Sequence, residues 1–169
     1  MNSGHARLPK VLATSVIRSS HLGEGHGGAY LIELGSGTHE PVMNWDDNSI
    51  DWQGRGAERG LRGIAFYEDR VLIAASEEVL VYTPSFELLG TIKNRYASQI
   101  HEIFVDGDEL LISSTPYDSV LVYNLKTERF TRGYCLRQRP VSTGGLGKVR
   151  RERLRVDRDA AGSSLRERV

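Results

Sequence analysis

The sequence predicts an all-β chain: a radial repeat of four-stranded antiparallel sheets, about two complete and one partial, followed by a charged tail that reads as disordered or partly helical. Three observations carry this expectation. Arg62-Gly63-Ile64-Ala65-Phe66-Tyr67-Glu68-Asp69-Arg70-Val71-Leu72-Ile73-Ala74-Ala75-Ser76 lies without a gap over His101-Glu102-Ile103-Phe104-Val105-Asp106-Gly107-Asp108-Glu109-Leu110-Leu111-Ile112-Ser113-Ser114-Thr115, at an offset of 39 residues. After a two-residue insertion, Pro116-Tyr117, the run Val79-Leu80-Val81-Tyr82 matches Val120-Leu121-Val122-Tyr123. A period near 40 assembled from short apolar runs marks a radial β repeat with one four-stranded sheet per unit.

Residues 1–9 are polar, contain Gly4 and Pro9, and read as a flexible start. The repeat region spans residues 10–136, with sheets at about 10–46, 61–93 and 100–134. Val11 to Ile17 and Ala29-Tyr30-Leu31-Ile32-Glu33-Leu34 are β-rich and match the second and third strands of the later repeats; Val11-Leu12-Ala13-Thr14-Ser15 sits under Leu72-Ile73-Ala74-Ala75-Ser76. No partner for the Arg62–Phe66 run precedes them, so the chain is expected to start inside a repeat. Between the two runs, Arg18 to Gly28 holds His21, Glu24 and His26 among glycines. No helix follows to fix ligand geometry, so a long hairpin loop is expected there in preference to a metal or phosphate site. Gly35-Ser36-Gly37 turns the chain into an outer strand at Pro41–Trp45. Trp52 is expected to anchor the polar connection behind it.

Gly54-Arg55-Gly56-Ala57-Glu58-Arg59-Gly60 superficially matches a dinucleotide loop. The helix such a loop requires is missing, because Leu61–Phe66 reads as a strand. Its arginines on a glycine backbone suit a loop that holds an anionic group. The second repeat follows as strands 61–67, 70–76, 78–83 and 88–93, with Glu68-Asp69 and Glu77-Glu78 as hairpin turns. Val71 to Ala75 is apolar on both faces, as expected of a strand sandwiched between sheets. Asn94 to Gln99 crosses to the third repeat, strands 100–105, 109–115, 118–124 and 128–134. There Asp106-Gly107 is the strongest hairpin signal and Lys126-Thr127-Glu128 makes the last turn.

Charge balances over the 169 residues, 22 Lys and Arg against 22 Asp and Glu, but the two parts differ. Residues 1–136 carry 12 basic and 18 acidic side chains, and residues 137–169 carry 10 and 4, net −6 and +6. The basic tail has no aromatic residue on which a base could stack, so no nucleic-acid partner is expected. No apolar run reaches the length of a membrane span, and Met1–Lys10 lacks a signal core, which predicts no membrane partner and a cytoplasmic location. Cys135 is the single cysteine and excludes an intrachain disulfide.

The alternation Arg62 to Phe66, Arg70 to Ser76 and Val79 to Tyr82 resembles repeats of six-bladed β-propellers of the NHL and gluconolactonase/strictosidine-synthase type. More closely, Gly54–Ser76 with Ile100–Ile103 and Ser114–Val120 looks like an uncharacterised bacterial propeller family. The likeness covers roughly residues 10–135, and two complete units and one partial unit stand where such propellers have about six. The resemblance implies that first strands line a central axis and that the loops entering them form one mouth. Arg62 and His101, equivalent by the repeat, would both lie there with Glu102. The expected binding residues are therefore Arg55, Glu58, Arg59, Arg62, His101, Glu102 and Asp118. Free imidazole titrates near neutrality, which leaves general acid–base work open to His101 beside Glu102 as candidate catalytic residues. Gluconolactonase-type enzymes bind a divalent cation through carboxylates and an amide, and Glu102 is the one inner-strand carboxylate that the resemblance offers for such a set. No cofactor follows from one ligand.

Three readings compete at this point. The chain is a binding scaffold for a small anion or a protein; or a metal-assisted lactonase- or esterase-like hydrolase; or a non-functional truncated propeller that self-associates through open sheet edges.

Overall fold

The computed structural model describes residues 8–17, 20, 24–45 and 60–136, together with the backbone of 153–154. Among them the chain is all-β, with three antiparallel sheets and a partial propeller-like architecture. It divides into two compact units, residues 1–61 and 62–169.

The first unit holds one three-stranded sheet, ordered β1 (Lys10–Thr14), β2 (Gly28–Glu33), β3 (Thr38–Asn44). Among the described residues no strand pairs with the outer side of β1, in line with the missing partner of Arg62–Phe66. β3 starts three residues earlier than the sequence suggests, immediately after Gly37 turns with φ 71. The hairpin ladder runs on past the strand ends into His26 and Gly28 of the expected loop, whose residues 18–19 and 21–23 lie outside the described residues. Ser15 N–H donates to Gly28 O (2.8 Å) and Ile17 N–H to His26 O (3.0 Å), while His26 N–H reaches Trp45 O (2.6 Å). His26 is fully buried, with its Nδ1 2.6 Å from the hydroxyl of Ser20. Gly60 closes onto this hairpin, and a Cβ there would stand 2.5 Å from Val16 Cα. His21 and Trp52 lie outside the described residues.

The second unit carries two sheets. One is ordered β4 (Ile64–Tyr67), β5 (Arg70–Ala74), β6 (Glu78–Tyr82), β7 (Leu88–Lys93). The other runs β8 (Ile103–Asp106), β9 (Glu109–Ser114), β10 (Ser119–Asn124), β11 (Arg129–Cys135). A two-residue strand, β12 (Arg153–Leu154), adds to the free edge of β11, with Leu154 opposite Gly133 and Arg153 opposite Tyr134. The rest of the expected tail lies outside the described residues. The repeat alignment is reproduced in the pairing: Ile64 faces Ile73, and Ile103 faces Ile112. Both outer pairings shift register at the matched position, Val81/Tyr82 and Val122/Tyr123. The inserted Pro116-Tyr117 forms a 3-10 turn with Thr115, Thr115–Tyr117, so β9 ends at Ser114, one residue short of the expected 109–115.

These two sheets stack as neighbours around one core. Ala65, Leu72, Val79 and Val81 from the first sheet meet Ile103, Leu110, Ile112 and Leu121 from the second. Burying apolar area of this kind is the main favourable term in folding. β5 is buried on both faces from Val71 to Ala74, as its unbroken apolar run predicts, whereas β9 alternates between half-buried and buried.

The inner hairpin turns are two residues long, Glu68-Asp69 and Gly107-Asp108, so Asp106 ends a strand and does not sit in the turn. Glu68 (φ 51) and Gly107 (φ 58) share one repeat position and one left-handed conformation. At this end of the unit the Tyr67 hydroxyl donates to Asp108 Oδ1 (2.9 Å), and Lys126 Nζ stands 3.0 Å from Asp108 Oδ2. Lys126 first and Tyr67 second hold the Asp108 carboxyl below its ordinary value, and the same carboxylate raises the Lys126 ammonium. A depressed carboxylate stabilises the fold fully above its unfolded value of 3.8, and that contribution is lost as pH falls through the lower folded value. Asp108→Asn should therefore leave a shallower acid-unfolding limb than the parent, read by circular dichroism between neutral pH and pH ~2. Superimposable acid limbs would show that the bridge does not stabilise the fold.

Candidate functional site

β4 and β8 are the first strands of adjacent sheets, and the backbone just before each forms one rim of the second unit. Gly63 N–H donates to His101 O (3.1 Å), so the two strand entries touch directly. A Cβ on Gly63 would come within 2.8 Å of Ile103 N and 3.0 Å of Glu102 Cα, which explains why glycine stands there. The approach brings Arg62 Nη1 to 3.2 Å from His101 Nδ1. A guanidinium has no acceptor, so Nδ1 accepts and the imidazole proton in this contact sits on Nε2. His101 is half-buried and Glu102 is exposed.

The 101–102 backbone is held by one side chain. Ser113 Oγ accepts from Glu102 N–H (2.9 Å) and His101 N–H (3.2 Å), and donates to Glu102 O (3.0 Å). Two further hydroxyls in this row secure the crossing segment. Ser114 Oγ donates to Tyr96 O (2.5 Å), and Thr115 Oγ1 donates to Gln99 O (3.0 Å). Beside them Tyr96 and Tyr117 meet edge to face at 5.4 Å, and the Arg95 guanidinium lies 4.6 Å from the Tyr96 ring centre. Gln99 (φ 45) and Asp118 (φ 44) adopt left-handed conformations at this rim. Non-glycine residues persist in that region only where surrounding structure enforces it.

The structure therefore brings together Arg62, His101 and Glu102 of the expected set. Asp118 caps the 3-10 turn at the β9–β10 connection, its N–H donating to Thr115 O (3.1 Å). Arg55, Glu58 and Arg59 lie outside the described residues. Sequence reasoning missed Ser113, Tyr96 and Tyr117. Ser113 was findable, since it replaces Ala74 at a matched apolar position next to the rim. The chemistry on offer is hydrogen-bond donation from Arg62 and from His101 Nε2, with the Glu102 carboxylate as a neighbouring acceptor. Among the described residues no group of three His, Cys, Asp or Glu side chains gathers to hold a metal ion, and no helix is long and apolar enough to cross a membrane. No family model matches this sequence, and no curated protein matches it.

Proposed function

We propose that the chain is a β-propeller-type binding module of the NHL-like kind, acting in the cytoplasm, whose rim takes a small ligand carrying an anionic group and a hydrogen-bond donor. The single observation behind this reading is the Arg62–His101 contact at 3.2 Å, which holds a guanidinium beside an imidazole at a rim that also carries the exposed Glu102. The donors suit a carboxylate or phosphate oxygen, and Glu102 suits an ammonium or amide N–H on the same ligand. The Ser113 clamp fixes the 101–102 backbone, which lowers the ordering cost of binding.

The test is a titration of the protein with acetate, inorganic phosphate and glycine, following the His101 ring signals by NMR. A saturable shift is expected, strongest for glycine, which carries both complementary groups. Arg62→Gln should weaken it about tenfold to a hundredfold, the usual worth of a hydrogen bond to a charged partner. Unmoved His101 signals with all three probes would sink the reading.

A further inference from the structure

Side chains of β8 to β11 alternate between the two faces of their sheet. Val105, Leu110, Tyr123 and Phe130 lie level with one another across it, as do Ile103, Ile112 and Leu121, and both rows pack into the shared core. The rows between them point the other way. One is Asp106, Glu109, Asn124 and Arg129, and the next is Phe104, Leu111, Val122 and Arg132. The bulge that skips Thr131 keeps Arg129 and Arg132 on this one face. A third row holds Ser113, Val120 and Tyr134, and Ser113 N–H donating to Glu102 O (3.0 Å) brings in Glu102. Phe104 is 65% exposed and Tyr134 47%.

Charge on this face is split. Its β8 side carries the exposed carboxylates Glu102 and Asp106, and its β11 side the exposed guanidiniums Arg129 and Arg132. Arg132 already reaches back across β10 to Glu109. Asp106 and Arg129 end the same row three strand spacings apart, roughly 14 Å, a span that side chains standing off the sheet do not bridge. Acid on one flank, base on the other and apolar side chains between them make a surface complementary to itself.

Sheets packed face to face keep their strands within about 30° of each other, so a two-fold axis would run along the strands or across them. An axis across the strands lays β8 on β8 and sets Asp106 against Glu102 of the second copy, gathering like charges. An axis along the strands lays β8 on β11 with the rows level. Asp106 then meets Arg129, Phe104 meets Arg132 in cation–π geometry, and Leu111 meets Val122 at the centre. We infer that this face is a two-fold interface between two copies of the chain, with β8 on β11 and reciprocal Asp106–Arg129 ion pairs flanking an apolar centre. Three rows on four strands measure roughly 14 Å each way, at the low end for a specific interface, so the dimer is of the weak, concentration-dependent kind. Glu102 also belongs to the rim, but the interface rests on Asp106 and Arg129 and does not depend on a ligand there.

Sedimentation velocity of the full chain, from low-micromolar to near-millimolar concentration, should show a monomer–dimer equilibrium. Asp106→Arg and Arg129→Asp, each alone, should weaken the dimer about tenfold to a hundredfold, because like charges then oppose each other on both flanks. The two together restore opposite charges and should return the dimer to near the parent's strength. Both side chains are exposed, so urea midpoints of all three variants should match the parent's and show the fold intact. A parent that stays monomeric throughout would overturn the inference. So would a dimer that neither single change weakens, or one that the double change fails to recover. A dimer strengthened by Asp106→Arg alone would overturn it too, since that result selects the axis across the strands.

Discussion

Ile112→Ala should cost about 2–5 kcal/mol of stability, and Ile73→Ala a similar amount, in urea unfolding followed by circular dichroism. Both side chains are fully buried. Ile112 sits in the core that joins the two sheets of the second unit, among Leu110, Leu121 and Tyr123 of its own sheet and Leu72, Val79 and Val81 of the other. Paired strands on both sides limit how far that site can collapse after truncation, so most of the cavity term persists. Ile73 lies on the opposite face of β5 from Leu72, and the cost there follows from a strand buried on both faces. Leu111 is the informative control. It neighbours Ile112 but faces the other way and is half-buried, so Leu111→Ala should cost about 1 kcal/mol, near the middle of point-mutant effects. A loss below about 1 kcal/mol at Ile112, or equal losses at 111 and 112, would contradict the alternation of β9 and the stacking built on it.

The sheets were legible in the sequence because strand pairing is local. Ile64 with Ile73 and Ile103 with Ile112 are hairpin partners fixed by two-residue turns, and a repeat of the pattern repeats the pairing. The environments were less legible. Ala65 and Phe104 align, yet one is core and the other is among the most exposed residues described, since position within a stack is not written into either repeat. His26 was hidden for a related reason. Glycines around it read as a loop, while its burial depends on backbone bonds to Ile17 and Trp45 that no local pattern announces. At the rim, the repeat made Arg62 and His101 neighbours, and the contact between their side chains follows from that. The one trace of the Ser113 clamp in the sequence is a serine where the earlier repeat has Ala74, and a hydroxyl that bonds backbone three ways looks, in one dimension, like any serine.

Gly63→Ala should destabilise the second unit by about 1–3 kcal/mol, and Gly63→Val by more. The added methyl would meet Ile103 N at 2.8 Å, Glu102 Cα at 3.0 Å and Glu102 C at 3.2 Å. All three are backbone atoms, so no side chain can swing aside to relieve the clash. Nor can the strand entry retreat alone, because Ser113 binds residues 101 and 102 through three hydrogen bonds and Ser113 N–H donates to Glu102 O (3.0 Å). The relief available is for one sheet to slide away from the other, which thins the shared core and lengthens Gly63 N–H to His101 O. Arg62 would then part from His101 Nδ1, so the variant should also shift the His101 ring signals with no ligand present. Gly35→Ala provides the comparison, since a Cβ there meets nothing within 4 Å and the change should stay within about 0.5 kcal/mol of the parent. Equal stability for the two variants would mean that β4 and β8 stand further apart than a glycine contact requires, and the rim would lose the approach that holds Arg62 beside His101.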